Sequence, residues 1–259
     1  MKILVCVKQV PTAAEEPRFT ADGTIDRGAS DSQLSELDEY AIEQALKIAE
    51  SGADAEITYL TVGPDSAKDT LRKALAMGGH SAIHIADDAV QGSDAPATAL
   101  ILAKAVDRHG FDLVMCGMAS TDGAMGAVPV MLAEHLGVPA VTYLDEIRVE
   151  GTKVSGRREN ENATLHLEAE LPAVVSVTDR SGEARYPSFK GIMAAKKKPL
   201  ESLSLADLGI DPAQVGLPAA RSAVDSVTKR PPRTQGEIVT DEGDGGKRLA
   251  EFLTAKKFI

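Results

Sequence analysis

Apolar residues along the first half of the chain come in short unbroken runs: KILVCV at 2–7, AEITYLTV at 55–62, AIHIA at 82–86, DLVMC at 112–116 and PAVTY at 139–143. Runs of that length without polar alternation predict strands buried on both faces. Between them lie Ala-rich stretches whose apolar positions recur at helical spacing. The first carries Leu37, Ala41, Ala45 and Ile48. It opens at Ser35, a favoured N-cap type, with Asp38 and Glu39 in the first turn, and it ends at Gly52. The second starts at Asp65 or Ser66 and stops at Gly78-Gly79; the third, Ala95–Asp107, follows Asp94; the fourth is Val128–Leu136. This alternation predicts an α/β fold: a doubly wound parallel sheet with helices on both faces. Ligands of such sheets bind beyond the carboxyl ends of the strands.

The pattern changes near residue 145. Residues 146–150, 152–158, 164–170 and 173–178 read as consecutive strands, an antiparallel extension or meander. The stretch 171–198 begins as a buried strand and ends in Lys196, Lys197 and Lys198. Between them lies a polar loop with Phe189 among Tyr186, Pro187, Ser188, Lys190 and Gly191. In a chain with five Phe and no Trp, such a residue is either a lid over a local cluster or an anchor for another protein. Beyond Lys198, prolines at 199, 212, 218, 231 and 232 interrupt the chain until 246–257, which reads as one helix. The expected division is a domain over 1–198, with the extension and loop, and a C-terminal arm over 199–259. The arm either wraps a partner or packs back on its own domain.

Composition narrows the function. A net charge of −11 with one dense basic run argues against nucleic-acid binding. The lysine run is either a solvated helix end or a docking rim for an acidic partner. Cys6 and Cys116 sit in apolar runs without a CxxC pattern, and the histidines at 80, 84, 109, 135 and 166 are scattered, so no metal site is predicted. No leader pattern and no apolar run of about 20 residues is present. The expectation is a cytoplasmic protein that is not itself a membrane protein.

Residues Gly117–Gly126 leave a strand and enter a helix. Glycines there let backbone N–H groups approach a phosphate, and the helix N-terminus favours an anion. The pattern is neither GxxxxGK[ST] nor GxGxxG, so on its own it is a plain strand-to-helix turn or an anion loop. The long loop 9–34 and the helix start at Ser35 lie at the same predicted sheet edge, which favours a ligand. No nucleophile elbow or Ser–His–Asp order is present. Asp38 and Glu159 read as surface or capping carboxylates, not as an acid–base pair. A bond-breaking enzyme is not expected.

Four motifs bring these pieces together: Val5-Cys-Val-Lys-Gln-Val-Pro11, Leu71-Arg-Lys-Ala-Leu-Ala-Met-Gly78, Ser120-Thr-Asp-Gly123 with Gly126, and Arg185-Tyr-Pro-Ser-Phe-Lys-Gly-Ile-Met-Ala-Ala-Lys-Lys-Lys198. With them the chain resembles, almost end to end, the beta subunit of electron transfer flavoproteins, in the form that carries fixation-type names in actinobacteria. The resemblance implies an adenine-nucleotide-hydrolase-like fold and a heterodimer with an alpha subunit. FAD is then shared with that subunit and held chiefly by it, while beta holds AMP. Electrons come from acyl-CoA and related dehydrogenases and leave to a membrane quinone oxidoreductase. The AMP contacts it implies are Cys6, Ser35, Glu36, Leu37, Asp38, Val62 and the loop Gly117, Met118, Ala119, Ser120, Thr121, Asp122, Gly123, Ala124, Met125, Gly126, Ala127 and Val128. Met118 and Ala119 stand where many members have Lys and Gln, and Ala124 and Met125 replace Asp and Thr. Phe189, with Ile192 and Met193, falls at the family's partner-docking loop. Glu159 matches a glutamate that pairs with an arginine of alpha's mobile flavin domain. The rival reading is a stand-alone adenine-nucleotide sensor of related fold. An adenylating enzyme would want an SGGxDS-type loop, which is absent.

Overall fold

The computed structural model describes residues 1–12, 16–52, 54–236 and 238–259. By their contacts they form two units, Met1–Asp225 and Ser226–Ile259. In the first, β1 (Lys2–Cys6) is followed by β2 (Gln9–Pro11) and β3 (Ser32–Leu34), then α1 (Glu36–Glu50), β4 (Glu56–Val62), α2 (Ala67–Met77), β5 (Ser81–Ile85), α3 (Ala95–His109), β6 (Leu113–Gly117), α4 (Val128–Leu136) and β7 (Ala140–Leu144). Then come β8 (Glu146–Glu150), β9 (Lys153–Glu159), β10 (Thr164–Glu170), β11 (Ala173–Val177), α5 (Phe189–Ala195) and β12 (Leu200–Leu203). The second unit contains α6 (Gly245–Ala255), whose Leu249 and Phe252 are exposed.

The central sheet has the order β12-β5-β4-β1-β6-β11-β7, and every pairing in it is parallel. This is the doubly wound α/β fold that the apolar runs predict. Helices α1 and α2 cover one face through Ala41, Ile42, Ala45, Leu71 and Leu75. Helices α3 and α4 cover the other through Ile101, Ala105, Val106 and Leu132. Each fully buried Leu or Ile contributes about 1.5–3 kcal/mol, so the two apolar layers carry the fold. From central β1 the chain builds outward to β4 and β5, then returns to place β6 on β1's other side. That reversal leaves a crevice beyond the strand ends beside β1 and β6.

Three features depart from the sequence reading. Ala173–Val177 does not continue the meander: β8, β9 and β10 form a separate antiparallel sheet, and β11 inserts between β6 and β7 of the central sheet. All five residues of β11 are buried, the mark of a strand covered on both faces, whereas β10 alternates exposed and half-buried positions. The proline-interrupted segment after Lys198 begins with β12, paired to β5. Leu203, Leu205, Leu208, Ile210 and Val215 then join the α3/α4 face of the core. Four residues are too few to show a period, and the segment's apolar positions are irregular because it runs along the sheet edge. The long loop after β1 returns on itself, with β2 and β3 paired antiparallel at its base.

Candidate functional site

The strand ends beside the reversal gather the predicted residues of the first half. Cys6 ends β1 and Cys116 lies near the end of β6. The register places Val5 opposite Met115, so the two thiols are cross-strand neighbours. Hydrogen bonding to Cys6, then burial, pushes the Cys116 thiol up. Cys6, Val62 at the end of β4 and Val128 at the start of α4 are half-buried against the same apolar cluster. Ser35 occupies the N-cap of α1, but its side chain makes no capping bond. Its Oγ is buried without a protein partner.

Asp38 overturns its reading as a surface carboxylate. It is buried in the first turn of α1, and its Oδ2 accepts the Lys8 N–H at 2.8 Å. Burial pushes its pKa up to about 7, against the pull of the Lys8 N–H, the Lys8 charge and the Gly117 N–H. Gly117 has no room for a side chain: a Cβ there would stand 2.6 Å from both Leu37 O and Asp38 Oδ1. The end of β6 is thereby seated against the start of α1.

Asp122, in the loop after β6, goes the other way. Its side chain is 3% exposed and pairs with Lys8 at 2.9 Å and Arg27 at 2.5 Å. Burial alone would raise its pKa. The Lys8 charge and hydrogen bond, with Ser120 and Arg27, instead hold it well below the usual carboxylate range. The Gly123 N–H donates to Asp122 Oδ1 and to Ser120 Oγ. Lys8 and Arg27 tie the loop to the end of β1 and to the long excursion after it. Sequence reasoning gave neither a role. A cation directly after a buried strand was the available signal for Lys8; Arg27 carried none.

The segment after β11 forms a second surface. Phe189 is not on a loop tip: it opens α5, whose N-cap Ser188 accepts the Gly191 N–H. It is 81% exposed, Tyr186 is 95% exposed, and Ile192 and Met193 are also exposed. A shallow groove of about 260 Å³ runs beside them, lined by Ala76, Pro187, Ile192 and Ala195 with Arg72, Lys73 and Lys196. The frame beneath is tightly held. Arg185 pairs with Glu43 at 2.8 Å and Glu50 at 2.5 Å on α1, and these bonds, Glu50's first, raise its already high pKa. Arg72 on α2 donates to Ala195 O and Lys198 O. Of the lysine run, Lys196 and Lys197 are exposed. Lys198 donates to Leu75 O and Gly78 O at the C-terminus of α2, where a cation complements the helix dipole. Glu159 lies apart, on β9, paired with Arg180 at 2.7 Å.

Among the described residues no cluster of three or more His, Cys, Asp or Glu is placed to hold a metal ion. Among them, too, no helix is long and apolar enough to cross a membrane. What remains is a doubly wound α/β domain with a glycine-containing loop at its chain reversal and a separate exposed segment on a tightly held frame. A family model described as the electron transfer flavoprotein domain matches residues 22–208. The chain is 47% identical over 263 residues to the electron transfer flavoprotein subunit beta of Mycobacterium leprae, covering 99% of each chain. It is 46% identical over 263 residues, again covering 99% of each, to the subunit of that name from Mycobacterium tuberculosis H37Rv. A subunit of the caffeyl-CoA reductase-Etf complex of Acetobacterium woodii is 34% identical over 257 residues, covering 99% of this chain and 97% of its own. The chain belongs to the electron transfer flavoprotein beta-subunit family. Its role is in electron transfer, and membership implies a flavin and an alpha subunit as partner.

Proposed function

We propose that this chain is the scaffold and docking half of a heterodimeric electron carrier. It binds AMP in the crevice beside β1 and β6, and with the alpha subunit it encloses an FAD held mainly by alpha. Electrons arrive from acyl-CoA and related dehydrogenases and leave to a membrane quinone oxidoreductase. The observation that carries the nucleotide reading is the buried, unpartnered Ser35 Oγ at the N-terminus of α1. It sits against the end of β6, from which the Gly117–Val128 loop departs. A helix N-terminus with an available hydroxyl beside a glycine-containing loop suits a phosphate. Because Met118, Ala119, Ala124 and Met125 carry no polar side-chain donors, recognition there falls to the backbone, with Ser120 and Thr121 adding hydroxyls.

The flavin supplies the redox chemistry when bound; this chain breaks no bonds of its own. Its residues orient and exclude. Lys8, Arg27 and Asp122 hold the nucleotide loop, and Phe189, Ile192 and Met193 present an apolar face to the dehydrogenase. Glu159 exchanges Arg180 for an arginine of alpha's flavin domain, and residues 226–259 reach the alpha subunit. Similarity over the whole length, docking segment included, argues against a stand-alone sensor.

Co-expression with an alpha subunit, purification and quantification of released small molecules tests this. The expected product is a yellow 1:1 complex yielding FAD and AMP in equal amounts. A colourless chain that ignores alpha, or one that carries ATP alone, overturns it.

A further inference from the structure

Tyr143 has a backbone that burial does not explain. It is the last residue but one of β7, and its φ is +60°, a region that costs a bulky residue strain. Its side chain is not sunk in the core: the residue is 38% exposed. The strain has a local cause. Val175 pairs with Val141 and Val177 with Leu144, so Thr142 and Tyr143 together face Ser176. This is a β-bulge, a device that re-aims a side chain. The Tyr143 N–H is taken up by Ser176 Oγ at 2.9 Å, which secures the bulge. The redirected phenol donates to Gly126 O at 3.1 Å. Gly126 itself has φ +67°, and a Cβ there would stand 2.1 Å from the Tyr143 hydroxyl. The Tyr143 hydroxyl occupies the space that a side chain at Gly126 would need.

The consequence passes through one peptide plane. The carbonyl of Gly126 and the N–H of Ala127 belong to the same rigid unit, so fixing one fixes the other. Ala127 is the N-cap of α4, where backbone N–H groups lack helical partners and favour an anion. We propose that Tyr143 is a positioning residue for the nucleotide loop: by holding the Gly126 carbonyl it aims the Ala127 N–H and sets the loop's fit to AMP. This rests on the AMP reading above.

The test uses the alpha–beta complex stripped of nucleotide, as wild type, Tyr143→Phe, Gly126→Ala and the double variant. AMP affinity is measured by calorimetry and backbone order by hydrogen exchange over 118–127, with FAD content as the check on assembly. Tyr143→Phe removes one hydroxyl, and AMP binding should weaken about three- to tenfold while exchange in the loop quickens. Gly126→Ala should weaken binding further in the wild-type background than in the Tyr143→Phe background, because the backbone penalty is common to both but the clash with the hydroxyl is not. Unchanged affinity in Tyr143→Phe overturns the proposal, with or without faster exchange; strictly additive variants overturn it too. Failure of the wild-type complex to bind AMP overturns the nucleotide reading and this proposal together. Binding by the wild type with no response to Tyr143→Phe overturns the proposal alone.

Discussion

The crevice beside β1 and β6 and the exposed segment around α5 handle charge and apolar surface in opposite ways. In the crevice the polar groups are turned inward: Asp38 and Asp122 are sheltered, each satisfied by donors from another element, and the side chains left at the surface of the loop are small or apolar. On the α5 segment the polar bonds lie beneath, in Arg185, Arg72 and Lys198, and Tyr186 and Phe189 stand uncovered above them. Buried polar networks fix geometry; exposed aromatics gain energy only when a partner covers them. The first region holds its polar groups in place; on the proposed function the second changes its surroundings on association.

Arg185→Ala strikes hardest. It leaves Glu43 buried without its main partner, and stability in denaturant titration should fall by about 2–3 kcal/mol, below the range for a fully buried pair because Arg185 is one-third exposed. Arg185→Lys should recover only part, since it cannot bridge both carboxylates with a planar fork. Phe189→Ala should show the reverse profile. Stability should stay within about 0.5 kcal/mol of wild type, while affinity for an acyl-CoA dehydrogenase measured on the assembled complex drops about tenfold or more. FAD and AMP contents should not move. Equal dehydrogenase affinity would remove Phe189 from the interface and erase the contrast between the regions.

A pH dependence separates the two crevice carboxylates. The pKa of Asp38 is raised in the folded protein to about 7 from 3.8, so between those values the folded state binds the extra proton and stability from this group falls as pH rises. Asp122 is depressed, so its contribution is present above its unfolded pKa and is lost as pH falls below it. Asp38→Asn should therefore remove a negative slope of about 1 kcal/mol per pH unit between roughly pH 5 and 7, and leave the acid-side loss due to Asp122 in place. Parallel stability–pH curves for the two proteins would show that Asp38 stays ionised in the fold.

Much of this was open to reading along the chain, and what was not has a physical reason. The strands β1, β4, β5, β6 and β7 announce themselves because both faces are covered. Asp94 caps α3 through Ala97 N–H as its type and position suggest. Ser35 looked equally fit for α1, yet its hydroxyl does not cap, because N-cap identity says nothing about where the side chain turns. Asp38 was visible as a first-turn acid, but its burial depends on the end of β6, some eighty residues on in the chain. The pairs Lys8–Asp122, Arg27–Asp122 and Arg185–Glu43 are likewise bonds across long separations, which no local pattern encodes. The continuous apolar run of β11 did carry its signal. It was masked by neighbouring strands that alternate.

The strand order has a consequence for synthesis. β7 emerges from the ribosome before the strand that will join it to the sheet, because β11 follows three strands of a different sheet. Until residue 177 is available, β6 presents an uncovered apolar edge and β7 has no neighbour in the central sheet. The opposite edge waits longer still, for β12. Such edges are templates for intermolecular pairing, so the nascent chain is most prone to aggregate after its first helices have formed and before its last short strands arrive.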